Sequence, residues 1–207
     1  MIGNVERVAK LFVTKTVYAT LIAVATGVIG LPYPFLPRHL TLVSSLTIGI
    51  PGFFLALAPS GARYRPGFVR RVGVAAVPAG LVAAIAVFTG YAIALNGYDV
   101  SVDEARTMAT FGLAIIGLWV VVMLARPFTR WRAILVAVLS AGFAVALLTP
   151  FGRDFFALHL PSAEVLVSVI PIAIGGVVGL EMLARVVGRR WADADPDSEL
   201  LPSPRTL

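Results

Sequence analysis

The chain has no cysteine, which excludes disulfides, thiolate metal sites and cysteine nucleophiles. Charge is scarce too: 14% of the residues are Asp, Glu, Lys or Arg, against 58% that are hydrophobic. A chain so poor in charge has lipid rather than water as its main solvent. Histidine occurs twice, at His39 and His159. No GxxxxGKS/T, HExxH, GxSxG or paired-carboxylate pattern occurs, so neither a nucleotide loop nor a catalytic centre is expected within these 207 residues. No connection between the apolar runs is long enough to hold a folded soluble domain.

Six apolar stretches of membrane-spanning length fill the chain instead, at about 11–31, 40–58, 72–95, 108–125, 133–149 and 163–184. The expectation is an all-α integral membrane bundle of six transmembrane helices over residues 1–190. A disordered, acidic, proline-rich tail is expected over 191–207. Residues 1–10 are polar and helix-compatible, so the first helix is expected to project beyond the membrane as a stalk. Its basic start resembles a signal peptide, but no cleavage site follows, and the reading is an uncleaved span.

The net charge of +6 is distributed unevenly. The two ends together with the connections 59–71 and 125–132 carry thirteen Lys and Arg; the alternate loops carry Arg38, Arg106 and Arg153. Lys15 lies inside the first span, about one turn from its edge, and is expected to snorkel. The bias places both termini in the cytosol of a plasma-membrane protein. Nucleic-acid binding is not expected, because no soluble basic domain exists to form a groove. The lipid bilayer is the expected partner.

Polar groups concentrate in the first two spans. The first holds Thr14, Thr16, Tyr18 and Thr20, with Thr14 and Tyr18 on one face. Ala19, Ala23 and Gly27 form a small-residue stripe there, and Gly175 and Gly179 form another in the last span; such stripes let helix backbones approach closely. The second span reads Thr41, Ser44, Ser45, Thr47, then Ile48-Gly49-Ile50-Pro51-Gly52. Pro51 has no N–H, so the carbonyl of Thr47 loses its helical donor, and the flanking glycines ease local unwinding. Two readings stand side by side. One is a plain proline kink with hydroxyls bonded back to their own helix. The other is a broken helix of the kind on which transporters build cation sites. Glu181 is read as an i,i+4 partner of Arg185. The two histidines are read as solvated loop residues, with a weak metal site including Asp154 as the lesser alternative.

Several strings resemble the C-terminal membrane half of bacterial cation-transporting P-type ATPases. MIGNVERV at 1–8 is similar to the stalk entering their fifth membrane helix, and TKTVYA at 14–19 continues it. PFLPRHLTLVSSLTIGIPGFFLALAPS at 34–60 is similar to the hairpin of the fifth and sixth helices, and RYRPGFVRRV at 63–72 to the link that follows. The resemblance implies a membrane fragment that lines part of an ion pathway and receives motion through the stalk. It implies that ATP is not hydrolysed by this chain alone, since the DKTGT and TGE motifs of the family do not occur in it. The missing N-terminal half, Mg-ATP and a transported cation are then implied for a complete pump. The ion-path candidates are Thr14, Thr16, Tyr18, Ser44, Ser45, Thr47 and Pro51. No acidic residue or Asn lies between Leu11 and Ala58, so calcium or another hard cation fits only if other helices add carboxylates. The alternatives are an independent small channel or carrier, and a non-transporting membrane scaffold.

Overall fold

The computed structural model describes residues 2–57, 67–126 and 129–193, with side chains described over 5–57, 67–126 and 129–186. Eight α-helices occur among them: α1 (Ile2–Ile29), α2 (Pro37–Ser44), α3 (Ile50–Leu57), α4 (Phe68–Gly97), α5 (Val102–Ala125), α6 (Arg130–Leu148), α7 (Pro150–Phe156) and α8 (Ala163–Asp193). A π-helical turn, Ser45–Gly49, joins α2 to α3. Six segments are long and apolar enough to cross a membrane: Val5–Ile29, Pro37–Leu57, Phe68–Gly97, Val102–Ala125, Arg130–Leu148 and Ala163–Val186. The part of the expected tail from residue 194 onward lies outside the described residues.

Five of the six spans start earlier than hydropathy places them, the sixth starting at Ala163 as expected, and at α5 and α6 a polar cap carries the helix past its apolar run. Ser101 and Glu104 form a capping box at the head of α5: Glu104 N–H donates to Ser101 Oγ (3.2 Å) and Ser101 N–H to Glu104 Oε2 (2.8 Å). Thr129 accepts from Arg132 N–H and opens α6. Thr149 ends α6 and, with Pro150 behind it, starts α7 by accepting from Gly152 N–H at 3.1 Å. The segment Pro150–Ser162, read from sequence as loop, therefore contains a short helix. Ala157 closes it in the left-handed conformation.

α4 is the hub, packed against α1, α5 and α8. Ile22, Tyr91, Met108, Leu113, Ile116 and Leu180 are fully enclosed between these helices. The outer faces present Val28, Ile85, Val138 and Leu148, the apolar surface a bilayer solvates. Close approach follows the predicted stripes only in part: a Cβ built at Gly179 would lie 3.3 Å from Val82 Cγ1 of α4, and one at the neighbouring Gly176 2.9 Å from Ile116 Cδ1. Ala23 and Gly27 are exposed, and nothing lies within 4 Å of a Cβ built at Gly27 or Gly175. α1 instead meets α4 at Gly80, where an added Cβ would fall 2.6 Å from Val17 Cβ and 2.9 Å from the Thr14 carbonyl.

The two ends of the bundle are fastened differently. At the end formed by the 30–36, 98–101 and 149–162 connections, bonds run to backbone. Tyr91 Oη donates to Pro32 O (2.8 Å), Arg106 Nε to Tyr33 O (3.1 Å), and His159 N–H to Thr107 Oγ1 (2.8 Å). His39, expected to be solvated, is fully buried. Its Nδ1 accepts from Leu36 N–H, which leaves Nε2 to donate to Ala157 O at 3.1 Å. Burial also raises the Tyr33 phenol above its ordinary range. At the opposite, arginine-rich end the fastenings are ionic. Glu6 bridges Lys10 (2.8 Å) and Arg71 (3.0 Å). Glu181 pairs mainly with Arg126, the residue that caps the end of α5 (2.8 Å); the i,i+4 partner Arg185 is 3.9 Å away. The expected within-helix pair is thus chiefly a cross-helix one.

Candidate functional site

The site grows from the defect that Pro51 places in the second span. Ile50 is the last residue able to donate before the proline, and its N–H reaches back five residues to Ser45 O. The turn is widened, so Leu46 O loses the donor four residues ahead, and Thr47 O loses its own because residue 51 is proline. Pro51 alone vacates one carbonyl; the wider register vacates two adjacent ones. π turns of this kind recur at functional sites in helices.

The widened turn pushes Thr47 into the bundle. Thr47 is buried, and its hydroxyl donates to Val43 O at 2.7 Å, which leaves the oxygen lone pairs available. It sits directly on Gly117 of α5, where a Cβ would lie 2.8 Å from Thr47 Cγ2. Across from it, α1 presents Thr14 and Tyr18 one turn apart, both buried. Thr14, Tyr18 and Thr47 line one cavity of about 20 Å³ with Leu113, Ile116 and Gly117. That is room for roughly one water-sized oxygen or a small ion. Thr14 Oγ1 also makes a long bond, 3.4 Å, to Ala76 O of α4.

A second cavity of about 100 Å³ adjoins the first, sharing Thr14 and Val120. It runs toward Lys10 between Ala76, Ala79, Met123 and Leu183 and is almost wholly apolar. Thr14 therefore stands where a wider apolar cavity meets a narrow, largely apolar one that carries three hydroxyls.

The remaining candidates separate from this group. Thr16 is exposed and bonds back to Phe12 O (3.0 Å). Ser45 is exposed and Ser44 half-buried; neither lines the small cavity. Pro51 is buried and acts through the backbone it disrupts. Gly117 and the Ala76 carbonyl are members that sequence reasoning missed. A mid-helix glycine in an apolar span was the only signal for the former. The cavity offers neutral oxygens and no negative charge. Among the described residues, no three His, Asp or Glu side chains gather where they could hold a metal.

No protein-family model matches the chain. Among curated proteins it is 39% identical, over 202 residues, to the calcium-transporting ATPase CtpE of Mycolicibacterium smegmatis; the match takes in 91% of this chain and 26% of that protein. It is 42% identical over 192 residues to CtpE of Mycobacterium tuberculosis, 86% of this chain and 24% of the relative. The probable cation-transporting ATPase exp7 of Streptococcus pneumoniae is 29% identical over 159 residues, 72% of this chain and 20% of the relative. The chain thus spans about a quarter of the length of these CtpE relatives. The similarity takes in most of the chain, and the chain belongs with the P-type cation-transporting ATPases as a multi-pass membrane portion of such a protein.

Proposed function

We propose that this chain forms the C-terminal half of the membrane domain of a cation pump, over residues 1–190, and lines part of its ion path. The observation that carries the reading is the convergence of Thr14, Tyr18 and Thr47 on one small cavity beside a widened turn with two vacated carbonyls. Oxygen donors of this kind suit a hard cation, and the relatives named as calcium-transporting support calcium as the cargo. Neutral oxygens supply coordination without charge compensation, so the carboxylates are assigned to helices of the remaining pump portion. ATP hydrolysis belongs to that portion as well. α1 transmits its motion: one continuous helix runs from Ile2 to the cavity-lining Thr14 and Tyr18.

Both termini are placed in the cytosol of a plasma-membrane protein. The excess of Lys and Arg at one end of the bundle supports this. The test of the ion path is Thr47→Val combined with Pro51→Ala in the assembled pump, reconstituted in vesicles. The first removes a hydroxyl at nearly constant volume, and the second restores the missing N–H. Cation-dependent ATP turnover is expected to lose apparent cation affinity about tenfold or more, the loss of one or two oxygen contacts. Unchanged affinity and turnover in a folded variant would remove the assignment.

A further inference from the structure

The end of the bundle away from the arginine-rich connections holds a fully buried histidine that the ion path does not use. His39 is the third residue of α2, and its Nδ1 accepts from the N–H of Leu36, the residue that caps the helix (3.3 Å). A capping box ordinarily puts Glu or Gln at that position, because the side chain has to accept. A histidine can accept there only while Nδ1 carries no proton. Its other nitrogen, Nε2, then donates to Ala157 O (3.1 Å), at the left-handed close of α7. One neutral ring therefore joins the start of the second span to the connection before α8, 118 residues away.

A second proton is incompatible with this bridge. Both ring nitrogens would then be donors, and Nδ1–H would face the Leu36 N–H. The first turn of a helix also carries partial positive charge, which opposes a cation. The charged and titratable neighbours do not offset the loss. From α5, Arg106 brings a positive charge and Asp103 a negative one, and the two are already paired at 2.9 Å. His159, beyond Ala157, is exposed and can add only positive charge. α7 contributes one charge of each sign, Arg153 and Asp154, and Arg38 of α2 itself points to the exposed side.

We propose that His39 is a proton-operated latch on the second span. Neutral, it ties the head of α2 to Ala157. Protonated, it gives up Leu36 and loosens the first turn of α2, the helix that leads through the π-helical turn to Thr47. The latch holds while the ring is neutral and is lost as pH falls through the ring's titration. It exists whether or not the ion path does.

With only His39 and His159 in the sequence, isotope-labelled ring nitrogens can be followed by NMR in the full chain in mixed micelles. At alkaline pH, His39 is expected in the form protonated at Nε2 alone. As pH is lowered and the ring takes its second proton, the Leu36 amide should lose about fivefold of its hydrogen-exchange protection relative to the intrinsic rate, the worth of one hydrogen bond. In His39→Gln the amide oxygen can accept as in an ordinary capping box and cannot titrate, so Leu36 protection should stay level with pH. His159→Gln should keep the wild-type response. A ring protonated at Nδ1 at alkaline pH would overturn the proposal, as would Leu36 protection that is unchanged while His39 titrates. So would the same pH response in the wild type and folded His39→Gln, or a ring that stays neutral until the whole chain unfolds. The wild-type readouts decide the matter even where His39→Gln fails to fold.

Discussion

The contact between Thr47 and Gly117 gives a sharp test of how the second span is seated. In Gly117→Ala the new methyl would lie 2.8 Å from Thr47 Cγ2, 3.1 Å from its Cβ and 3.4 Å from Oγ1. Thr47 cannot swing away cheaply, because it is β-branched and its hydroxyl is held at 2.7 Å by Val43 O. Overpacking of this kind costs about 1–3 kcal/mol, and the alanine returns up to about 1 kcal/mol of helix propensity. A net loss of about 1–2 kcal/mol is expected from their difference. Gly27→Ala is the matched control: nothing lies within 4 Å of a Cβ there, so its expected effect is zero or a slight gain. Thr47→Ser deletes Cγ2, the nearest atom, and should rescue Gly117→Ala, with a coupling of about 1 kcal/mol in a double-mutant cycle. The assay is reversible denaturation of the chain in mixed micelles. Equal midpoints for Gly117→Ala and Gly27→Ala, or additive behaviour of Thr47→Ser and Gly117→Ala, would refute the contact.

Gly80→Ala should be more damaging, by about 3 kcal/mol, because the methyl meets the Thr14 backbone carbonyl, which no rotamer change can relieve; the same denaturation assay reads it. His39→Ala should cost about 2–3 kcal/mol by stripping partners from Leu36 N–H and Ala157 O and leaving a void. His159→Ala should be near neutral, since that residue contributes its backbone N–H to Thr107 and its side chain is exposed. Arg126→Gln should cost about 1 kcal/mol or less and lose that effect in high salt, while Arg185→Gln should be silent; thermal midpoints in detergent compare them. Tags at the two termini should be digested by protease from the same side of sealed vesicles, as six crossings require.

Much of this fold is written locally. A run such as Val102–Ala125 announces a span by its hydropathy, and Pro51 between glycines announces a break in the second helix whatever surrounds it. The pairing of Thr14 with Tyr18 follows from helical spacing alone. What escaped local reading depends on distant partners. His39 is polar and lies in a loop-like string, yet it is buried because a carbonyl 118 residues away accepts its proton. Gly117 gains its role from Thr47, seventy positions earlier. Helix α7 escaped because seven residues are too few for a periodicity, and its cap Thr149 also serves as the stop of α6. Thr16 and Ser45 were hydroxyls on the wrong side of their helices. Their chemistry resembled that of Thr14 and Thr47, and packing alone distinguishes them.

The contrast between the two ends of the bundle has a mechanical consequence. One end is stitched across its helices by hydrogen bonds, mostly into main-chain oxygens, its Arg106–Asp103 ion pair lying within a single helix. The other is held by carboxylate–guanidinium clasps that ions in the medium can compete for. Any rearrangement that re-pairs those clasps swings the helices about a fixed heel, so displacement is largest at the arginine-rich tips, is intermediate at Thr14, and vanishes near Tyr91 and His39.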